Sequence, residues 1–77
     1  MTSVQLIDLL VARLVRDHGG TKQHWRGLVG SVQLYSEQTH AHCNWQINPT
    51  GNRAEIAKIE KLIDGLRMDH PIIASAR

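Results

Sequence analysis

The chain has 77 residues, the size of one small domain, and a chain of this length buries only about 60% of the surface that its unfolded form exposes. Its formal net charge is only +2, and its apolar residues occur in periodic runs rather than in one stretch of about 20, which argues against a membrane-spanning helix. The single cysteine, Cys43, excludes an internal disulfide and suits a reducing compartment. The first turn also lacks the pattern of a signal peptide, so we expect a cytoplasmic protein.

The N-terminal segment predicts a long helix over residues 3–18. Thr2 and Gln5 have the spacing of a capping box, in which each side chain satisfies a backbone N–H of the other residue. Gly19 and Gly20 supply a residue that can adopt positive φ after the last turn. The apolar residues that recur at helical spacing, and that we expect to be buried, are Val4, Ile7, Leu10, Val11, Leu14 and Val15.

A second surface of this helix is a candidate partner-binding face. With that apolar stripe buried, Leu6 and Leu9 point away from the core, onto the side that carries Arg13 and Arg16. Apolar contact flanked by arginines is typical of protein interfaces. Isolated exposed leucines are also common, so the face has an ordinary explanation as well.

A short helix beginning near Thr21 should follow, with Trp25 and Leu28 as its apolar residues. Residues 13–26 contain four basic side chains and one acidic one, which allows an alternative function in nucleic-acid binding. There Trp25 would stack on a base while cations meet phosphates. That site would comprise Arg13, Arg16, Lys22, Trp25 and Arg26. Because the chain has no phenylalanine, we expect Trp25 to pack in the core instead.

The middle of the chain predicts a β-hairpin. Val32 and Leu34 alternate with polar residues, and so do Cys43, Trp45 and Ile47. A polar loop over residues 36–41 separates these two runs, and the sequence after Ile47, Asn-Pro-Thr-Gly, is typical of a turn. The apolar sides of both strands should face the core.

The C-terminal part predicts a second long helix. Asn52 and Glu55 repeat the capping-box spacing, and Pro71 should end the helix because proline disfavours helical geometry in the residue before it. Its apolar face comprises Ile56, Ile59, Leu62, Ile63 and Leu66. Residues 74–77 should form a loose tail. The predicted fold is therefore a single α+β domain over residues 1–77: a long helix, a short helical turn, a two-stranded antiparallel hairpin and a long helix, with the helices on one face of the hairpin.

The opposite face of the hairpin should be polar and exposed, and we expect it to bind a protein partner. Its predicted residues are Gln33, Tyr35, His40, His42, Asn44 and Gln46. Amide, phenol and imidazole groups can be covered by a partner at a lower desolvation cost than full charges. An ordinary solvated sheet face explains them equally well.

The edges of the hairpin predict a homodimer. Neither strand contains the lysine or proline with which proteins often protect an edge. Joining two hairpins edge to edge would give a four-stranded sheet, and three or more strands are usually needed for stability.

No pattern in the chain predicts catalysis, a cofactor or a metal. His40 and His42 lie two residues apart, but Cys43 should point to the opposite face, and no other histidine has the spacing of a recurring zinc site. A cysteine beside apolar residues is more typical of core packing than of a nucleophile. The sequence thus favours a non-enzymatic interaction or regulatory module that binds itself and an unidentified protein.

Overall fold

The computed structural model describes residues 1–74, and its elements follow the predicted order. Helix α1 spans Ser3–His18, helix α2 Lys22–Val29, strand β1 Val32–Leu34, strand β2 Trp45–Ile47 and helix α3 Arg53–Asp69. The two strands pair antiparallel in a two-stranded sheet, and the helices contact this hairpin. The small α+β fold predicted from the sequence is confirmed.

Local signals begin and end the helices as expected. The Thr2 hydroxyl accepts from the backbone N–H of Gln5 at 3.2 Å, and the Gln5 side chain accepts from the backbone N–H of Thr2 at 2.9 Å. Asn52 and Glu55 make the same reciprocal pair at the start of α3, at 2.9 and 3.1 Å. Gly19 ends α1 with a φ of +74°, a region that glycine enters without steric cost. The four side chains of the two capping boxes satisfy backbone donors that the starts of α1 and α3 would otherwise leave unpaired.

The strands are shorter than predicted. Each has three residues, and β2 begins at Trp45 rather than at Cys43. Residues 35–44 form the connection, in which the backbone N–H groups of Thr39 and His40 both donate to the Ser36 carbonyl, at 3.2 and 2.8 Å. His40 and His42 therefore lie in this connection and do not extend a strand.

The core contains both tryptophans and the apolar faces of all three helices. Its buried members are Leu6, Leu10, Val11, Leu14, Trp25, Val29, Trp45, Ile47, Ile59, Ile63, Leu66 and Ile73. Val32, Leu34 and Cys43 pack against this cluster from the hairpin and its connection. Burial of Trp45, with 2% of its surface exposed, confirms that the apolar side of the hairpin faces the helices.

The predicted buried stripe of α1 is rotated from the observed one. Leu6 is fully buried, whereas Val4 is 57% exposed. Leu6, Leu10 and Leu14 repeat every four residues and lie one above another along the helix. Because α1 contacts both α2 and α3, the position of these two neighbours decides which part of its broad apolar surface is covered.

The chain after α3 is held against the rest of the domain. Ala74 was expected to begin a loose tail, but it forms a parallel bridge with Thr2, and its N–H donates to the Met1 carbonyl at 2.7 Å. The remainder of the predicted tail, residues 75–77, lies outside the described residues. Across residues 1–74, no helix combines the length and the apolar character that crossing a membrane requires.

Candidate functional site

The hydrogen bonds of the hairpin show which backbone groups point outward. The register pairs Val32 with Ile47, Gln33 with Gln46 and Leu34 with Trp45. One residue further along, the Tyr35 N–H donates to the Asn44 carbonyl at 2.8 Å. Because hydrogen-bonded and non-hydrogen-bonded pairs alternate in an antiparallel ladder, Gln33 and Gln46 form the next hydrogen-bonded pair. Val32 and Leu34 on β1, and Trp45 and Ile47 on β2, therefore direct their N–H and C=O groups away from the partner strand.

The outer edge of β2, hereafter the covered edge, has the segment after α3 next to its beginning, held there by Asn44, the residue before the strand. The outward backbone groups of Trp45 and Ile47 make no backbone hydrogen bond to that segment. The backbone N–H of Asn44 donates to the Pro71 carbonyl at 3.0 Å. The Asn44 amide also donates to the Ile73 carbonyl at 2.8 Å and accepts from the Ile73 N–H at 2.9 Å. Asn44 is only 4% exposed, so these bonds are buried. One asparagine thus fastens residues 71–73 over the start of the strand.

Trp45 reinforces the covered edge from the core side. Its indole N–H donates to the carbonyl of His70, the C-cap residue of α3, at 2.8 Å. The Arg67 guanidinium lies 5.7 Å from the centre of the Trp45 ring, within the usual range of a cation–π contact. The start of β2 is therefore bound both to the end of α3 and to the segment that follows it.

The other end of the covered edge opens on a polar cleft of about 250 Å³. Its lining from α3 includes the charged residues Glu60, Asp64 and Arg67, facing Ile47 and the turn that follows it. Charged side chains beside a strand edge discourage the addition of another strand.

The outer edge of β1, hereafter the open edge, has neither protection. Within residues 1–74, Val32 and Leu34, like Trp45 and Ile47, make no backbone hydrogen bond to a third segment. Residues 29–36 include no charged side chain. Val32 and Leu34 are half-buried, while Gln33 between them is exposed. The open edge therefore combines outward backbone groups, an uncharged surface and apolar side chains that are only partly covered.

The exposed face of the hairpin is smaller than predicted. Gln33 and Gln46 lie on it, and the Tyr35 hydroxyl donates to the Gln33 side-chain oxygen at 3.0 Å and lies 3.4 Å from that of Gln46. The Tyr35 ring stacks on His40, with ring centres 4.4 Å apart. His40 approaches this face from the connection, where His42 is also exposed. The prediction that Asn44 lies on the exposed face is wrong, because its amide is used inside the molecule.

The predicted partner-binding face of α1 is also altered. Leu6 is in the core, which corrects its assignment to an exposed face, and Leu9 and Arg13 are half-buried. Arg16 is exposed and forms an ion pair at 3.0 Å with Asp17. Hydrogen bonding from Arg16 lowers the pKa of the Asp17 carboxyl. The structure therefore does not bring Leu6, Leu9, Arg13 and Arg16 together as one exposed apolar surface.

The basic segment does not display Trp25. The side chain is 5% exposed, which confirms its predicted place in the core, and its indole N–H donates to the carbonyl of Gly19, the C-cap residue of α1, at 2.7 Å. Arg26 pairs with Asp8 of α1 at 2.6 Å, and Lys22 is exposed. Base stacking on Trp25 would require the indole to leave the core, so the five residues do not form one nucleic-acid platform.

His24 joins α2 to the start of α3. Its Nε2 lies 2.8 Å from a carboxylate oxygen of Glu55. The pKa of Glu55 is below its ordinary value, first because the Asn52 N–H donates to the carboxylate and also because His24 contacts it. This contact is a structural link between two helices.

Cys43 is hydrogen-bonded within the connection and its neighbouring strand. The Cys43 thiol donates to the Trp45 carbonyl at 3.4 Å and is partly buried. No group of three or more histidine, cysteine, aspartate or glutamate side chains in residues 1–74 has the arrangement of a metal site. The comparisons add no further constraint, since no protein-family model, curated protein or solved structure matches this chain.

Sequence reasoning missed the role of Asn44 and the difference between the two edges. Asn44 has the parity of the exposed face, so alternation assigns it to solvent. Its partner, Ile73, is 29 residues away, and no local spacing indicates that pairing. An asparagine between Cys43 and Trp45, two residues expected to face the core, is the one signal in the sequence, and it is weak.

Proposed function

We propose that this chain is a small non-enzymatic protein-interaction module that binds by adding a β-strand to its open edge, and that it forms a homodimer through the hairpin. The observation that supports the proposal is that the outward groups of Val32 and Leu34 have no backbone partner elsewhere in residues 1–74, on an edge that carries no charged side chain. The outward groups of Trp45 and Ile47 have no backbone partner in that range either, but residues 71–73 are held next to the start of that strand and charged residues of α3 line the cleft at its end. Unpaired strand edges are a recurring means of binding another polypeptide.

The size of the sheet supports association. The hairpin has only two strands of three residues each and is stabilised by packing against the helices, so an added strand would extend a short ladder of backbone hydrogen bonds. An added strand would also cover more of Val32 and Leu34. The exposed amides of Gln33 and Gln46 would then extend a polar face suited to a further, unidentified protein partner. A cytoplasmic location stays a prediction from the cysteine content.

The experiment removes one outward donor without touching the ladder of the hairpin. Val32→Pro deletes an N–H that points away from β2, at the first position of the strand, where proline is tolerated. Val32→Ala is the matched control, because it shortens the side chain and keeps the N–H. Sedimentation velocity over a range of micromolar concentrations should show a dimer for the wild type and Val32→Ala, and a monomer for Val32→Pro with an unchanged circular dichroism spectrum.

Two results would overturn the proposal. A wild-type protein that stays monomeric at high micromolar concentration excludes the homodimer. A folded Val32→Pro variant that dimerises as strongly as Val32→Ala shows that the open edge is not where association occurs.

A further inference from the structure

We propose that the strand received by the open edge is β1 of a second copy, paired antiparallel about a two-fold axis that passes beside Gln33. This inference rests on the proposed function and specifies its partner and register. It predicts a four-stranded sheet in the order β2, β1, β1 of the second copy and β2 of the second copy.

The register follows from which residues point outward. Only Val32 and Leu34 of β1 direct both backbone groups away from β2, and they lie on either side of Gln33. With Gln33 opposite Gln33 of the second copy, Val32 of each chain lies opposite Leu34 of the other. Each of these pairs can exchange both of its N–H···O bonds. An axis at Val32 or at Leu34 would place one outward residue opposite a residue beyond the strand. Only the axis at Gln33 pairs both outward residues of β1 with residues of the other β1.

The side chains of this register are compatible with a second copy. Residues 29–36 are uncharged, so identical edges can approach without the repulsion that like charges opposite each other would cause. Val32 and Leu34 are half-buried on the helix side and would continue the apolar layer across the axis. Gln33 lies on the exposed face, where its amide can donate to and accept from its counterpart.

A self-complementary edge also satisfies the geometry of a closed dimer. In a two-fold interface the same surface serves both subunits, and here each open edge pairs with the open edge of the other copy. The covered edges of the two copies become the two outer edges of the new sheet, with residues 71–73 next to the start of each. A partner with a complementary charge pattern would need charges on the open edge, and residues 29–36 supply none.

Disulfide trapping at Gln33 tests the register. In a non-hydrogen-bonded pair the Cα atoms are about 4.5 Å apart, within the disulfide range of about 4.4–6.8 Å. Gln33→Cys in a Cys43→Ser background should therefore form a covalent dimer in a mild glutathione redox buffer. Gln46→Cys in the same background is the matched control, because Gln46 is exposed on the same face. In the proposed sheet it would be three strand spacings, roughly 14 Å, from its counterpart.

Cross-linking of Gln33→Cys should be at least about tenfold faster than that of Gln46→Cys, because pairing holds the two thiols at a high effective concentration. Equal rates for the two variants would indicate random collision and overturn the register. If Gln33→Cys fails to cross-link while both variants sediment as dimers, the register is wrong and the proposed function survives. If both also sediment as monomers, the proposed function fails with it.

Discussion

The two edges of this hairpin differ in what lies next to them. At the covered edge, Asn44 binds Pro71 and Ile73, and the Trp45 indole binds His70. At the open edge, Val32 and Leu34 make no backbone hydrogen bond to a third segment in the part of the chain that the structure describes, and residues 29–36 carry no charge. The contacts next to one edge therefore contribute to folding, and we propose that the other edge takes part in association. A small domain that protected neither edge would invite open-ended aggregation, and one that protected both would have no edge with which to pair.

The largest expected effect comes from removing the Asn44 side chain, which holds residues 71–73. Asn44→Ala leaves the buried N–H and C=O of Ile73 without their side-chain partners, and each unsatisfied group costs about 1–3 kcal/mol. We expect the free energy of unfolding, measured with urea, to fall by about 2–5 kcal/mol. Gln46→Ala, which removes an exposed amide two residues along the chain, in β2, should change it by less than about 0.5 kcal/mol. Equal losses of unfolding free energy in the two variants would contradict the role of Asn44 in holding residues 71–73.

The same variant also tests the comparison of the edges. If Asn44 keeps residues 71–73 over the start of β2, releasing them should expose a second edge, and a molecule with two open edges can associate without closing. Sedimentation of folded Asn44→Ala should therefore show species larger than a dimer. A folded variant that stops at the dimer would mean that the covered edge is blocked by something other than this segment.

A smaller effect is expected at Trp45. Trp45→Phe removes the hydrogen bond to His70 and part of the buried ring, which should lower the free energy of unfolding by about 1–3 kcal/mol. Trp25→Phe is matched to it, because that indole also donates to the C-cap carbonyl of a long helix. Hydrogen exchange should separate the two: the Ile73 amide should exchange faster in Trp45→Phe than in Trp25→Phe. Identical protection of Ile73 in both would show that Trp45 does not hold the segment.

The parts of the fold that could be predicted depend on local signals. The capping boxes at Thr2 and Asn52 involve residues three positions apart, so the sequence displays both members of each pair. The alternation around Trp45 and the proline after α3 are likewise local. These signals were sufficient for the element order and for the assignment of both tryptophans to the core.

The errors concern contacts between distant residues. Apolar side chains cover more than one face of α1, so periodicity alone does not decide whether Leu6 or Val4 is buried; the packing of α2 and α3 does. Asn44 has the alternation of an exposed residue, but a segment 29 residues away covers it. The open edge could be anticipated as an unprotected strand, whereas the covering of the other edge could not.

Acid should weaken the start of α3, the helix that precedes the segment next to the covered edge. The pKa of Glu55 is lowered in the folded chain, so its carboxylate contributes stability that is fully present above its ordinary pKa of 4.5 and is lost as pH falls through the folded value. We expect Glu55→Gln to be less stable than its parent at neutral pH, with the difference shrinking below 4.5. Glu55→Gln and the parent with which it is compared should both carry His24→Gln, so that the imidazole does not titrate. A difference that is constant with pH would contradict this role.

The smallest expected effect distinguishes the exposed face from the open edge. The Tyr35 hydroxyl contacts Gln33 and Gln46 on the exposed face, and exposed hydrogen bonds contribute little, so Tyr35→Phe should lower the free energy of unfolding by less than about 1 kcal/mol. Because strand addition uses backbone groups that lie in the plane of the sheet, the dimer dissociation constant should not change. If Tyr35→Phe abolishes the dimer while the fold is retained, the two copies meet through their polar faces, and pairing at Val32 and Leu34 is wrong.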